Sequence, residues 1–214
     1  MRRNFRPILY VAAIIVWATA VSLAAVQLWR YEAAPGVPAN APRHWPADSH
    51  VARTPGLPTL VVLLHPHCPC SRATIYELSK LMTDCQGKLT ATVLVVRPEG
   101  MSDDWVHSDL WTSAAAIPGV KVVVDDQGLE TRRFGAATSG QALLYSADGV
   151  QLFAGGITES RGHSGDNAGS SAIAALVLGD AKVQKGAAHT PVYGCPLFDG
   201  PGGCRNDGSQ ACQK

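Results

Sequence analysis

Two cysteines one residue apart, accompanied by two histidines, are the residues of this chain best suited to chemistry. They lie in the run His65-Pro66-His67-Cys68-Pro69-Cys70. The run follows an apolar stretch, residues 60–64, and precedes a segment with helical spacing, so we predict that the thiols lie at a strand-to-helix junction. Backbone N–H groups at the start of a helix stabilise a thiolate. The segment therefore indicates either dithiol redox chemistry or binding of a soft metal.

In the redox interpretation, Cys68 is the attacking thiol because it lies near the first unpaired N–H groups of the helix. We expect Cys68 to be the more exposed sulfur, with His65 and His67 lowering its pKa by hydrogen bonding or by charge. Cys70, in the first turn, is then the resolving thiol. A Cys68–Cys70 disulfide closes a very small ring, and its strain predicts a labile bond. This chemistry needs no cofactor.

The metal alternative uses the same four side chains. Thiolates and imidazoles suit Cu(I) and Zn(II), so the motif also fits a module that binds or delivers copper or zinc. Ligands so close in sequence rarely all reach one ion, so an outside ligand would help, for example His163 or Cys195. A third interpretation is a non-catalytic assembly or regulatory partner, in which the sheet edge and the tail bind another protein.

Alternating strands and helices are predicted to position the motif. Strands are predicted at 60–64, 89–96, 120–124, 142–145 and 150–153, and helices at 71–83, 103–116, 129–135 and 170–178. Asp148-Gly149, between the last two strands, is a hairpin signal. An alternating half followed by a hairpin and a helix predicts an α/β fold with a mixed central sheet.

A second polar segment is predicted to lie at the same edge of the sheet as the cysteines. The last strand runs in the same direction as the first, so its C-terminal end leads to Arg161, His163 and Asp166 near Cys68. Arg161 suits binding an anionic group or lowering a thiol pKa, and His163 suits proton transfer or metal binding. Gly, Ser, Asp and Asn in this segment also build loops and caps without any chemistry.

The order of elements resembles the thioredoxin fold over residues 51–180, with the cysteine motif where that fold places its Cys-x-x-C. Several segments are similar to the RedB-type family of bacterial membrane-anchored, thioredoxin-like proteins: residues 65–72, 138–140, 155–167 and 193–196. The resemblance implies a three-layer thioredoxin-like fold with one transmembrane helix before it. Thr138-Ser139-Gly140 falls where thioredoxins carry the cis-proline that shapes substrate docking, which assigns Ser139 and Gly140 a supporting role.

The chain departs from the thioredoxin pattern at two places. The motif is Cys-x-Cys, one residue short, so an ungapped alignment keeps Pro69 and Cys70 in place and puts His67 on the nucleophile position. The second departure is that residues 138–140 contain no proline.

The N-terminus predicts a membrane anchor. Residues 7–29 contain no charged residue, and about 20 apolar residues suffice to cross a bilayer. Arg2, Arg3 and Arg6 precede this stretch and predict a cytoplasmic N-terminus, with the domain in the periplasm and residues from Ile8 to Leu28 in the bacterial inner membrane. A cleaved signal peptide is the alternative, and it also exports the domain. The predicted divisions are an anchor, a Pro-rich linker, the thioredoxin-like domain and a Gly-rich, Cys-containing tail, at 1–30, 31–58, 59–198 and 199–214.

Composition narrows the partners. A net charge of +1 gives no indication of nucleic-acid binding. The redox interpretation predicts a protein thiol or disulfide as the partner. Six cysteines fit an exported protein. Cys85 lies about 20 Å along the helix from the motif, so it is predicted to be buried or structurally paired. Cys195 is predicted to return to the motif or to pair with Cys204, and Cys204 with Cys212 suggests a local disulfide.

Overall fold

The computed structural model describes residues 6–179 and 188–198, and the chain divides into two compact units, Met1–Ala34 and Pro35–Lys214. The first unit contains helix α1, Arg6–Ala33. Its Pro7–Ala33 portion is long and apolar enough to cross a membrane, a test that a signal sequence also passes. The predicted N-terminal apolar helix is therefore present.

The second unit is a six-stranded mixed sheet flanked by helices. Its elements are β1 Thr59–Leu64, α2 Ser71–Asp84, β2 Thr90–Arg97, α3 Asp103–Val106, α4 Asp109–Ala115, β3 Val120–Asp126, α5 Leu129–Arg133, β4 Gln141–Tyr145, β5 Gln151–Gly156, α6 Ala168–Leu178 and β6 Ala188–His189. The strand order is β3-β2-β1-β4-β5-β6. β1, β2 and β3 run parallel, while β4 is antiparallel to both β1 and β5. The predicted thioredoxin-like fold with a mixed central sheet is confirmed.

The central strand β1 is buried along its whole length and separates two apolar cores. Leu60, Val62 and Leu64 point into one core, and Val61 and Leu63 point into the other. This alternation follows from the two-residue period of a strand. Because helices cover both faces, a continuous aliphatic run is the pattern that this position requires.

Helix α2 packs its apolar side into the first core through Ile75, Leu78, Leu81 and Met82. Their spacing of three and four residues places them on one side of the helix. Cys85, at the C-terminal end of α2, is fully buried in the same core and is a free thiol. Burial raises the pKa of Cys85, so this sulfur is an inert part of the core.

The structure differs from the predicted elements at two places. The single helix predicted over 103–116 is two short helices, α3 and α4, separated at His107 and Ser108. Ser108 has extended backbone angles, and its hydroxyl donates to the carbonyl of Pro66 at 2.9 Å, which holds the break against the cysteine motif. The two-residue strand β6, paired with β5, is also new. So short a strand has no detectable alternation in sequence.

Part of the Pro-rich stretch predicted as a linker lies on the domain. Gly36 N–H donates to the carbonyl of Val192 at 2.8 Å, and Trp45 N–H donates to the carbonyl of Gly149 at 2.8 Å. The Trp45 ring packs edge-on against Phe134 and Tyr145, at centroid distances of 5.0 and 5.2 Å. Trp45 is thus a packing residue of the domain.

Candidate thiol site

The cysteine motif forms two tight turns between the C-terminal end of β1 and the start of α2. Cys68 N–H donates to the carbonyl of His65 at 3.1 Å, and Ser71 N–H donates to the carbonyl of Cys68 at 3.0 Å. Cys70 is the residue that immediately precedes the helix. Cys68 therefore lies just before the first turn of a 14-residue helix, where the helix dipole favours a negative charge.

A third cysteine joins the two sulfurs of the motif. We call residues 188–198 the return segment, because they bring the chain from the end of α6 back to the cysteine motif. Within it, Cys195 places its Sγ atom 3.2 Å from the Sγ atom of Cys68, in hydrogen-bond contact. The thiols of Cys70 and Cys195 also interact. All three are free thiols, so the site is a cluster of three sulfurs.

Hydrogen bonding within this cluster separates the pKa values of the three thiols. The pKa of Cys68 is lowered, because the side chains of Cys195 and Cys70, and then the Cys195 backbone N–H and the Ser71 hydroxyl, outweigh burial and stabilise its thiolate. Interaction with Cys68, then with Cys70, raises the pKa of Cys195. For Cys70, the contact with Cys195 lowers the pKa, but interaction with Cys68 and burial outweigh it and the pKa is raised. Of the three thiols, Cys68 is thus the one whose surroundings favour loss of the proton, and those of Cys70 and Cys195 favour keeping it.

The prediction that Cys68 is the more exposed sulfur is wrong. Cys68 is 1% exposed and Cys70 is 7% exposed. Cys68 is covered by its contact with Cys195, which lies 127 residues away in sequence. Neither sulfur belongs to the two apolar cores of the described residues. Cys68 instead has hydrogen-bond contacts with Cys195 and Ser71.

The two histidines of the motif differ in exposure and in role. His65 is buried, and burial is the main cause that lowers its pKa, with the nearby Cys68 opposing the shift. His65 is therefore neutral at neutral pH, and its Nδ1 atom accepts the backbone N–H of His67 at 3.2 Å. His67 is exposed, with Nε2 2.9 Å from the carbonyl oxygen of Trp105. Both imidazole rings lie beside the Trp105 ring, at 5.5 and 4.7 Å between centroids.

Thr138-Ser139-Gly140 lies directly against the motif. His65 N–H donates to the Ser139 hydroxyl at 2.9 Å, and the hydroxyls of Ser139 and Ser71 are hydrogen-bonded at 2.8 Å. Ser139 N–H donates to the carbonyl of Cys195 at 2.8 Å, while Gly140 N–H donates to the carbonyl of Leu63. Ser139 therefore connects all three parts of the site: the end of β1, the start of α2 and the return segment. The peptide bonds in this stretch are trans.

Of the second polar segment, Arg161 is the residue that reaches the sulfur cluster. Its guanidinium donates to the carbonyl of Gly194, next to Cys195, and its charge favours the thiolate form of Cys70. His163 is exposed, and its Nδ1 atom lies 2.9 Å from the carbonyl oxygen of Arg161. The charge of Arg161 thus acts on Cys70, whose pKa is nevertheless raised, and a role for Arg161 at Cys68 stays a prediction.

Asp166 lies in a different environment, on the side of α2. It is exposed and lines a shallow pocket with Glu77, Lys80 and Asn167 among others. The buried carboxylate of Glu77 accepts the N–H of Gly165 at 2.8 Å and the side-chain amide of Asn167 at 3.4 Å. Asn167 also accepts Ser170 N–H at 2.8 Å and so caps α6. The contacts around Asp166 anchor the loop to two helices.

Within residues 6–179 and 188–198, no group of three or more His, Cys, Asp or Glu side chains is arranged to hold a metal ion. The four ligand candidates of the motif therefore do not form a preorganised site, because His65 and His67 make their contacts with Trp105 and the backbone. Cys204 and Cys212, with their predicted local disulfide, lie outside the described residues.

Two contributors to the site have no signal in the sequence. The Trp105 ring lies edge-on to His65 and tilted against His67, and the Ser71 hydroxyl lowers the pKa of Cys68. Cys195 was one of two alternatives, and the structure brings it to the motif. The signals that could have found it are its Cys-Pro sequence and its position after an extended stretch, both too common to locate a contact partner.

No protein-family model and no curated protein matches the chain. Among solved structures, the chain is similar to an uncharacterized conserved protein from Geobacillus kaustophilus, with 16% identity, a TM-score of 0.54 and coverage of 79% of this chain and 94% of that one. It is also similar to a hypothetical protein from Sinorhizobium meliloti, with 18% identity, a TM-score of 0.54 and coverage of 79% and 96%. The exposed lipoprotein thioredoxin of Streptococcus pneumoniae strain TIGR4 matches with a TM-score of 0.40, 12% identity and coverage of 58% and 85%. Similarity at these identities concerns the fold alone.

Proposed function

We propose that this protein is a membrane-tethered thiol–disulfide oxidoreductase whose attacking group is the Cys68 thiolate. The observation that carries the proposal is the set of donors around one sulfur at the start of a helix: Cys195, Cys70 and Ser71. A thiol that is a thiolate at neutral pH is the reactive species in disulfide exchange. Ordinary structural cysteines, such as Cys85 in the apolar core, have no such donors.

The exchange uses the dithiol of the motif. The Cys68 thiolate attacks one sulfur of a protein disulfide, forms a mixed disulfide and releases the first substrate thiol. Cys70, after losing its proton, then attacks the Cys68 sulfur and releases the second substrate thiol. The substrate disulfide is reduced to two thiols and the Cys68–Cys70 dithiol is oxidised to a disulfide. Arg161, whose charge favours the Cys70 thiolate, assists the second step.

Access to Cys68 requires a local movement, because this residue is 1% exposed. Cys195 is the group in contact with it and is itself partly exposed, so displacement of the Cys195 side chain opens a path to the sulfur. The exposed residues His67 and Pro69 flank Cys68 and offer the surface on which a substrate polypeptide docks. Buried Ser139 and Gly140 support this surface from below.

The periplasm is the proposed compartment. The apolar helix α1 and the arginines before it support an anchor in the inner membrane with the domain outside the cytoplasm. Disulfide chemistry suits such an oxidising compartment. The segments that resemble the RedB-type family, among them residues 65–72 and 193–196, support placing the chain in that family, and both contribute cysteines to the cluster.

The experiment is a disulfide-exchange assay on the full chain in detergent, with oxidised glutathione as the substrate and metal content measured on the same sample. We expect the wild-type protein and Cys85→Ser to form glutathione thiol at the same rate, and Cys68→Ser to lose this activity. Cys85→Ser is the matched control because it also removes one buried thiol.

Two results would contradict the proposal. Stoichiometric copper or zinc that is lost in Cys68→Ser, without exchange activity, would favour the metal-delivery function and its ligands His65, His67, Cys68 and Cys70. Neither activity nor metal in the wild-type protein would favour the non-catalytic partner.

A further inference from the structure

Cys195 is held against the motif by contacts along the whole return segment. Its carbonyl accepts Ser139 N–H at 2.8 Å, and Leu197 N–H donates to the carbonyl of Ala137 at 2.8 Å. Val192 and Leu197 are buried at 1% and 5% exposure on either side of it. Gly194 passes so close to Ser139 that a Cβ atom there would lie 1.8 Å from the Ser139 carbonyl oxygen. The position of the third sulfur is thus built into the fold.

The geometry of the three sulfurs favours one pair over the other. The Sγ atoms of Cys68 and Cys195 are 3.2 Å apart, and a disulfide of about 2.05 Å requires them to approach by only about 1 Å. Cys68 and Cys70, in contrast, are separated by one residue, so their disulfide closes a strained ring. A Cys68–Cys195 disulfide closes a long loop of the chain, so it avoids the strain of a very small ring.

We propose that the stable oxidised form of the domain carries a Cys68–Cys195 disulfide, with Cys195 as a third redox thiol. The proposal deepens the proposed function and rests on it. The Cys195 sulfur attacks the Cys68 sulfur of the motif disulfide, the Cys68–Cys70 bond breaks, and Cys70 leaves as a thiolate. The proton of the Cys195 thiol passes to Cys70, with which it already interacts. No external oxidant is needed, because one intramolecular disulfide replaces another.

This exchange has a consequence for the reaction. Once Cys195 has replaced Cys70 as the partner of Cys68, Cys70 is a free thiol again. Attack by Cys70 on the new disulfide would have to form the strained Cys68–Cys70 ring, so the exchange is not readily reversed. Cys195 also moves from covering Cys68 to being bonded to it, so the partner that restores the reduced state must attack at the partly exposed Cys195. In this disulfide the Cys195 sulfur is the one that a partner can reach, and the Cys68 sulfur stays buried.

Peptide mapping tests the proposal directly. Trypsin places Cys68 and Cys70 together in the peptide of residues 54–72, and Cys195 in the peptide of residues 186–205. In the full chain carrying Cys204→Ser and Cys212→Ser, a covalent link between these two peptides can arise from Cys195 alone. The protein is oxidised with oxidised glutathione, alkylated, digested and analysed by mass spectrometry, with a dithiothreitol-reduced sample for comparison.

We expect the link in the oxidised sample, its loss on reduction, its persistence after adding Cys70→Ser, and at least a tenfold decrease after adding Cys68→Ser. A disulfide found only within residues 54–72 would overturn the inference and leave the proposed function intact. A link that survives Cys68→Ser but not Cys70→Ser would overturn the assignment of Cys68. Complete absence of a reducible disulfide at these positions would overturn both the inference and the proposed function.

Discussion

At the scale of single residues, the Cys68 sulfur depends on groups that are distant in sequence. Cys195 contributes both its thiol, 3.2 Å away, and its backbone N–H, and these stabilise the negative charge more than burial opposes it. His65, next to the motif in sequence, is neutral because burial lowers its pKa. The lowered pKa of Cys68 is thus a product of the hydrogen bonds of the cluster rather than of a charged histidine.

Replacing Cys195 by alanine is therefore expected to raise the pKa of Cys68. A hydrogen bond to a charged group contributes about 1.5–3 kcal/mol, so losing the thiol donor corresponds to an upward shift of about 1–2 pH units. The thiolate then forms at higher pH, and the fraction of reactive Cys68 at neutral pH falls. The ultraviolet absorbance of thiolates, followed against pH, measures the midpoint. Cys85→Ala should leave this midpoint where it is, and the same curve for wild type and Cys195→Ala would refute the role of Cys195.

Ser139 is a second residue whose hydrogen bonds can be tested by substitution. In Ser139→Ala, His65 N–H and the Ser71 hydroxyl lose their partner inside a buried environment. An unsatisfied buried donor costs about 1–3 kcal/mol, so we expect the free energy of unfolding to fall by that amount in urea titration. Ser113→Ala, which removes an exposed hydroxyl bonded to the carbonyl of Asp109 in α4, is a suitable control. A Ser139→Ala protein as stable as wild type would show that these two hydrogen bonds contribute nothing.

At the scale of elements, three pieces of chain meet at the C-terminal edge of β1. These are the turn before α2, residues 138–140 before β4, and the return segment after α6. The last two are bound together backbone to backbone, as in the pairing of Thr138 with Pro196. The arrangement fixes Cys195 with hydrogen bonds that do not depend on its own side chain, so the sulfur can change partner without loss of the fold.

Gly194→Ala tests this arrangement. A methyl group at this position would lie 1.8 Å from the Ser139 carbonyl oxygen, a backbone atom, so the return segment must move away. We expect a weaker Cys195 contact and a more exposed Cys68 sulfur, and therefore faster alkylation of this buried thiol. Rates of iodoacetamide labelling resolved by peptide mass spectrometry give the measurement. Pro191→Ala, at an exposed position of the same segment, is the control, and equal Cys68 labelling in the two variants would contradict the structure.

The strands, helices and motif position follow from local patterns, whereas the completed site does not. The burial of residues 60–64 on both faces is visible as an aliphatic run, and the cap of α6 by Asn167 is visible as a polar residue before an apolar helix. Cys195 and Trp105 approach the motif through tertiary contacts that no local pattern encodes. The exposure of Cys68 was predicted wrongly for the same reason, because its cover comes from a segment 127 residues away.

At the scale of the whole molecule, the chain joins an apolar helix to a thiol-bearing domain. The Pro7–Ala33 stretch contains few charged groups and is long enough to span a bilayer. Residues from Pro35 onward form the second compact unit, so the domain begins directly after the helix. This organisation is the one that the proposed membrane-tethered thiol–disulfide exchange requires.

The anchor is tested by deletion. The full chain is expected to remain in the membrane pellet after alkaline carbonate washing, because about 20 apolar residues resist extraction, and a chain lacking residues 1–30 is expected in the supernatant. Immunoblotting of the two fractions gives the distribution. Protease added to intact spheroplasts should digest the domain of the full chain. A full-length protein released by carbonate, or protected from the protease, would contradict the proposed anchoring and orientation respectively.

The most direct measurement is a redox titration of the full chain in glutathione buffers, with the thiol fraction of each cysteine quantified by differential alkylation and mass spectrometry. We expect Cys68 to change reversibly between thiol and disulfide, with a midpoint between about −270 and −120 mV, the range of thioredoxin-type dithiols. Cys85, enclosed in the apolar core, should remain a thiol throughout. A Cys68 that remains a thiol across the whole range, as is expected of Cys85, would contradict the proposed thiol–disulfide exchange.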